Sequence, residues 1–156
     1  MDLPEIWLYF GGPRMIEDDG HGQQSDKEQQ VGSLVAALCE RLAEILPADE
    51  FEVTVEHGTA VRVLGRGARR GNSLWLTPIA IWRSQLPVEQ RLQVFFEAAS
   101  RRVQKFVSGP RRRWPTMTAR PGVSIEEDRI LVWWGGPSEA DAVVAVRPIA
   151  RKEIGV

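Results

Sequence analysis

PVEQRLQVFFEAASRRVQKFV, residues 87–107, decides how the rest of the chain has to fold. Leu92, Phe95, Phe96, Ala99, Val103, Phe106 and Val107 recur at helical spacing and share one wide apolar stripe. A stripe of that width needs a sheet or a second helix against it. Glu89, Arg91, Arg101 and Lys105 fill the polar positions.

Upstream, a second helical stripe runs through Val31, Leu34, Val35, Leu38, Leu42, Ile45 and Leu46 and stops at Pro47, which cannot continue a helix. Ser25 and Glu28 have the spacing of a capping box and are expected to start it. The period then changes to two. Phe51, Val53, Val55 and His57 fall on one strand face, and Glu52, Thr54 and Glu56 on the other. His57-Gly58-Thr59 reads as a tight turn into a second strand, Ala60 to Leu64. A third strand is expected over Leu74 to Trp82, with Pro78 marking an edge or bulge.

Downstream, Gly122–Ile125 and Arg129–Trp134 read as a hairpin around Glu126, Glu127 and Asp128, and Ala142–Val146 as a last strand. With Ile6–Phe10 as an initial strand, the order is β-α-β-β-β-α-β-β-β. YFGGP at 9–13 is echoed by WWGGP at 133–137, and each half carries one long helix followed by three strands. Two apolar helix stripes and half-apolar strands give an α+β, two-layer sandwich. A curved, mainly antiparallel sheet is expected to pack on two long helices. Residues 1–156 are read as a single domain, with a flexible loop at 14–27 and a short polar tail at 150–156.

Composition narrows the function classes. The single cysteine, Cys39, allows neither an internal disulfide nor a cysteine metal cluster. No apolar run is long enough to span a membrane, and the first residues lack the basic start of a secretory signal. A cytoplasmic protein without cofactor or membrane partner is the expectation. Charge is divided along the chain: residues 1–56 hold 13 acids and 3 bases, residues 57–156 hold 8 acids and 17 bases. Either the two signs meet inside the domain, or they leave opposed faces that guide contacts.

Two features offer binding chemistry. Arg101, Arg102, Lys105, Arg111, Arg112, Arg113 and Arg120 lie in a stretch without acids, and Trp114 sits among them. The first three gain from a helix C-terminus, whereas three adjacent arginines repel each other unless they are solvated or meet an anion. Such a patch suits an acidic protein partner; a nucleic acid, with phosphates on the arginines and a base on Trp114, is the alternative. Arg66, Arg69 and Arg70 join it if their loop lies at the same end. Six tryptophans form the second feature. Trp133 and Trp134 must face opposite sides of a strand, so Trp75, Trp82 and Trp133 are candidates for an interface, including one with a second copy, and otherwise belong to the core or lie under loops.

Catalytic patterns are weak. His57 follows Glu56 in a strand, where neighbouring side chains point apart. Gly65-Arg66-Gly67 opens no helix and lacks the Gly-Lys-Ser/Thr ending of a phosphate loop. A non-enzymatic binding or assembly protein is therefore the leading expectation, ahead of a ligand carrier or enzyme with a pocket between sheet and helices.

Overall fold

A computed structural model describes residues 21–110 and 112–156. They form an α+β sandwich in which antiparallel strands pack against two long helices. The elements are α1 (His21–Ile45), β1 (Phe51–Glu56), β2 (Ala60–Gly65), β3 (Ser73–Leu76), α2 (Ile79–Trp82), α3 (Val88–Ser108), β4 (Arg120–Ile125), β5 (Arg129–Gly135), β6 (Ala142–Ala145) and β7 (Ile149–Ala150). The strands divide into two hydrogen-bonded sheets, β1-β2-β3 and β4-β5-β6, with β7 added to β5. Each long helix is thus followed by its own antiparallel meander. The expected strand at Ile6–Phe10 lies outside the described residues.

Helix α1 buries Val31, Leu34, Val35, Leu38, Leu42 and Leu46 against the first sheet. It begins earlier than the sequence pattern indicates: residues 21–27 are helical, and Ser25 lies within the helix instead of capping it. The run Gln23, Gln24, Lys27, Glu28 consists of good helix formers, which carry the helix back past Ser25. At the other end, the Pro47 carbonyl accepts the Glu50 and Phe51 amides and turns the chain into β1. In β1–β2 the Val53↔Val63 and Val55↔Val61 pairs share the helix-facing side, while Glu52, Thr54 and Glu56 face out. His57 (φ 57°) and Gly58 (φ 68°) close this hairpin.

The third strand stops at Leu76, short of the expected Trp82. Thr77 Oγ1 accepts the Ile79 amide at 3.3 Å and donates to the Thr59 carbonyl at 2.7 Å. Thr77 followed by Pro78 acts as a cap and first-turn proline, so the chain enters a short helix instead of a bulged strand. That turn carries Trp82 inward, where it is 1% exposed. Its indole donates to Gln30 Oε1 of α1 at 2.9 Å, and Arg91 of α3 lies 5.2 Å from its ring.

Helix α3 buries Leu92, Phe95, Phe96, Ala99, Val103 and Val107, the stripe its spacing predicts. Beneath it runs β5, in which Ile130 to Trp134 are all buried. Trp134 donates to the Ser100 carbonyl at 3.0 Å. Trp133 points the other way, covers Gly122 on the neighbouring strand, and donates to the Gly136 carbonyl at 3.0 Å. A side chain at Gly122 would collide with that ring.

Residues 150–156 are built into the fold. Ile149 pairs with Ile130, and Arg151 and Ile154 are buried. Arg41 of α1, 2% exposed, makes a two-pronged pair with Glu153 at 2.6 and 2.9 Å. It also donates to the Arg147 and Pro148 carbonyls at 3.2 and 2.9 Å. Arg151 reaches Glu89 of α3 at 2.8 Å. A buried guanidinium is tolerable when its donors are matched, as all three Arg41 nitrogens are. Arg151 matches its two terminal nitrogens, while its Nε finds no partner among the described residues.

Glu153→Gln should therefore lower the unfolding free energy by about 1–2 kcal/mol, since it removes the two-pronged carboxylate and leaves the buried cation a single carboxylate contact, to Glu40 at 3.0 Å; urea denaturation at neutral pH measures it. The hydrogen bonds from Arg41 hold the Glu153 carboxyl below its ordinary pKa of 4.5. Its contribution is complete above that value and is lost as the pH falls through the lowered folded-state pKa. Wild type should lose this increment on acidification, and Glu153→Gln should show a shallower acid dependence.

Candidate anion-binding groove

The C-terminal half of α3 and the β2–β3 connection enclose an open groove of about 1220 Å³. One wall is residues 68–74, and the other is α3 from Ala98 through the Pro110 turn. Arg69, Arg101, Arg102 and Lys105 line it, with Leu74, Ala98 and Phe106 as apolar surface. No acidic side chain is among its described lining residues.

Arg69 sets the distance between the walls. It sits in the 3-10 turn Gly67–Arg69 and donates across the groove end to the Phe106 and Val107 carbonyls at 3.2 and 2.5 Å. These belong to the last turn of α3, whose carbonyls lack helical partners, and a cation there also meets the negative end of the helix dipole. The guanidinium lies 5.1 Å from the Phe51 ring, which in turn packs on Phe106 at 5.7 Å. Gly109 ends the helix with φ 69°, and a Cβ there would stand 3.0 Å from the Arg69 guanidinium.

Arg102 reaches over the groove and donates to the Trp75 carbonyl at 2.9 Å. Burial pulls its pKa below the ordinary guanidinium value, yet a guanidinium stays charged in proteins. Arg101 and Lys105 are exposed on the rim and form no ion pair among the described residues. Glu50 supplies a counter-charge beside the groove end, 3.1 Å from Arg112 and 3.9 Å from Arg69.

The residues singled out in the sequence separate accordingly. Arg101, Arg102 and Lys105 meet in the groove, joined by Arg69 of the glycine-rich connection. Arg112 is held by Glu50. Arg113 and Arg120 are exposed but stand outside the lining, and Arg111 lies outside the described residues. Arg66 turns away to Glu52 and the Ala48 carbonyl. Trp114 is buried, 9% exposed, with its ring edge-on to Trp134 at 5.1 Å. Gln104 pins that loop by donating to the Trp114 and Ala119 carbonyls at 3.1 and 2.8 Å.

Trp82 and Trp133 are buried within the chain, so of the three interface candidates only Trp75 keeps a large exposed surface, at 41%. It stands on the outer face of β3 with Arg62 4.9 Å from its ring. The apolar lining of the groove follows the core patterns of the sequence: Leu74 and Ala98 are buried core positions, and Phe106 is half-buried.

Other chemistry is sparse. Burial and the neighbouring Glu40 push the Cys39 thiol above its ordinary pKa, away from the reactive thiolate. No group of three His, Cys, Asp or Glu among the described residues is placed to hold a metal ion. No helix among them is long and apolar enough to cross a membrane. Comparison of the chain with protein-family models, curated proteins and solved structures gives no match.

Arg69→Met keeps the stem but removes two hydrogen bonds to the helix end, and should cost about 1–3 kcal/mol by urea denaturation. Arg69→Lys should recover only part of this, because a single ammonium cannot reproduce the fork that spans two carbonyls.

Proposed function

We propose that this chain is a non-enzymatic binding protein that takes an acidic segment of a partner protein in the groove between the β2–β3 connection and α3. The observation that carries the reading is the lining: among the described residues it holds four cations, no acid, and apolar surface between them. Two of the cations, Arg69 and Arg102, are fixed by backbone carbonyls, so their order is established before any ligand arrives. The other two, exposed on the rim, form no ion pair among the described residues, and charge there speeds encounter and selects the sign of the partner. At about 1220 Å³ and open to solvent, the groove exceeds the roughly 300–1,000 Å³ of small-molecule sites and suits a peptide segment.

A nucleic acid would value the same cations, but the aromatic expected to stack on a base, Trp114, is buried on Trp134. Self-association through opposed charged faces is the second reading. Among the described residues, Glu40 and Glu44 are matched by Arg147 and Glu50 by Arg112 within the domain, and these three acids are not available to guide it. A cytoplasmic location is part of the proposal, in keeping with the lone, half-buried Cys39.

The test is charge reversal on the rim. Wild type should bind a glutamate-rich peptide with an affinity that falls as salt rises, and the Arg101→Glu/Lys105→Glu double variant should lose about tenfold or more, or 1.4 kcal/mol. Both side chains are exposed, so the only stability cost is the loss of favourable charge near the α3 C-terminus. The melting temperature should fall by no more than several degrees, with peptide binding measured well below it. Equal peptide binding by the variant, or a preference of wild type for oligothymidylate over the peptide, would contradict the reading.

A further inference from the structure

The outer edge of β3 lines part of the groove, and this gives the site a backbone as well as a charge. In the first sheet the order is β1-β2-β3, and among the described residues β3 has no strand on its outer side. The Asn72 carbonyl faces β2, where it accepts the Gly65 amide at 2.9 Å. Antiparallel ladders alternate, so Leu74 and Leu76 also turn their backbone groups to β2, whereas Ser73 and Trp75 turn theirs outward. Arg102 confirms the direction, because its guanidinium comes from α3 and meets the Trp75 carbonyl on that outer side. Asn72, Ser73 and Leu74 line the groove together with Arg101, Arg102 and Lys105.

We infer that the acidic partner segment binds in extended form as a fourth strand on β3. This rests on the reading of the groove given above and specifies its recognition mode. A strand laid there exchanges bonds with the Ser73 N–H and C=O and the Trp75 N–H. The Trp75 carbonyl has a second lone pair and accepts a partner amide alongside Arg102. Side chains of an added strand alternate between the two faces of the sheet. Those on the helix side meet Arg101 and Lys105, and those on the outer side lie beside Trp75 and its stacked Arg62. The favoured partner sequence therefore alternates acidic residues, facing α3, with apolar ones, facing Trp75. Charge supplies the attraction and the β3 edge supplies the register.

The probe is a short capped peptide in which glutamate and valine alternate, titrated against the full chain. Ser73→Pro removes one outward N–H and leaves the β2 ladder intact, a substitution that edge strands accept. It should keep the thermal transition and weaken peptide binding about tenfold, the equivalent of one or two net hydrogen bonds. On wild-type protein, N-methylation of the peptide at one set of alternate residues should abolish binding, and methylation of the other set should leave it. That series decides the matter even where Ser73→Pro folds poorly. Binding indifferent to Ser73→Pro and to methylation register, yet lost in Arg101→Glu/Lys105→Glu, would overturn strand addition while leaving the charged groove intact. Failure of wild type to bind the peptide at all, or capture of oligothymidylate in its place, would remove both.

Discussion

Arg69 joins three parts of this protein that are far apart in sequence. Its side chain lies on Phe51 at the start of β1, its backbone forms the turn between β2 and β3, and its guanidinium closes the last turn of α3. A helix end left with bare carbonyls beside an apolar sheet would be costly. Meeting those carbonyls with a cation from the neighbouring connection removes the cost and fixes where α3 ends relative to β3. The groove is the space left between them. Its shape thus depends on the same contact that holds the first sheet to the second helix.

The remaining links between the halves follow a similar logic. Arg41 clamps α1 to the C-terminal segment, and Trp82 ties α1 to α3 through Gln30 and Arg91. Each is a polar group drawn into an apolar setting and matched there, so the two meanders share one continuous core. Matching uses up charge as well. Among the described residues, Glu40 and Glu44 are paired with Arg147 and Glu50 with Arg112, so part of the uneven charge of the sequence is matched within the domain. Around the groove the cations Arg101 and Lys105 have no such match among the described residues. A patch can be strongly basic on a chain whose formal net charge is −1.

Local periodicity was readable, and contacts between distant segments were not. Both helix stripes, the β1–β2 hairpin at His57–Thr59 and the β4–β5 hairpin at Glu126–Asp128 follow from spacing and turn residues alone. Spacing alone places Trp82 in a strand with Pro78 as an edge or bulge, whereas Thr77 ahead of the proline makes the pair a helix start. Trp114 looked like an exposed ring among arginines. Its burial comes from Gln104 and Ser108 pinning the loop onto α3, and from contact with Trp134, none of which is local. The polar composition of residues 150–156 hid Arg151 and Ile154, whose burial depends on Glu89 and α1. For the groove, the sequence offered Arg101, Arg102 and Lys105 on one helix. That Arg69 joins them and Arg112 and Trp114 do not is decided by tertiary pairing.

Amide hydrogen exchange on the wild-type chain, with and without the alternating glutamate–valine peptide, reads the site and its mode together. An added strand slows exchange at the Ser73 and Trp75 amides, which face the groove, and leaves the amides of β4 at their free rates. Protection spread along Arg120–Ile125, or bound peptide with no change at Ser73 and Trp75, would mean that the partner sits elsewhere or touches only side chains.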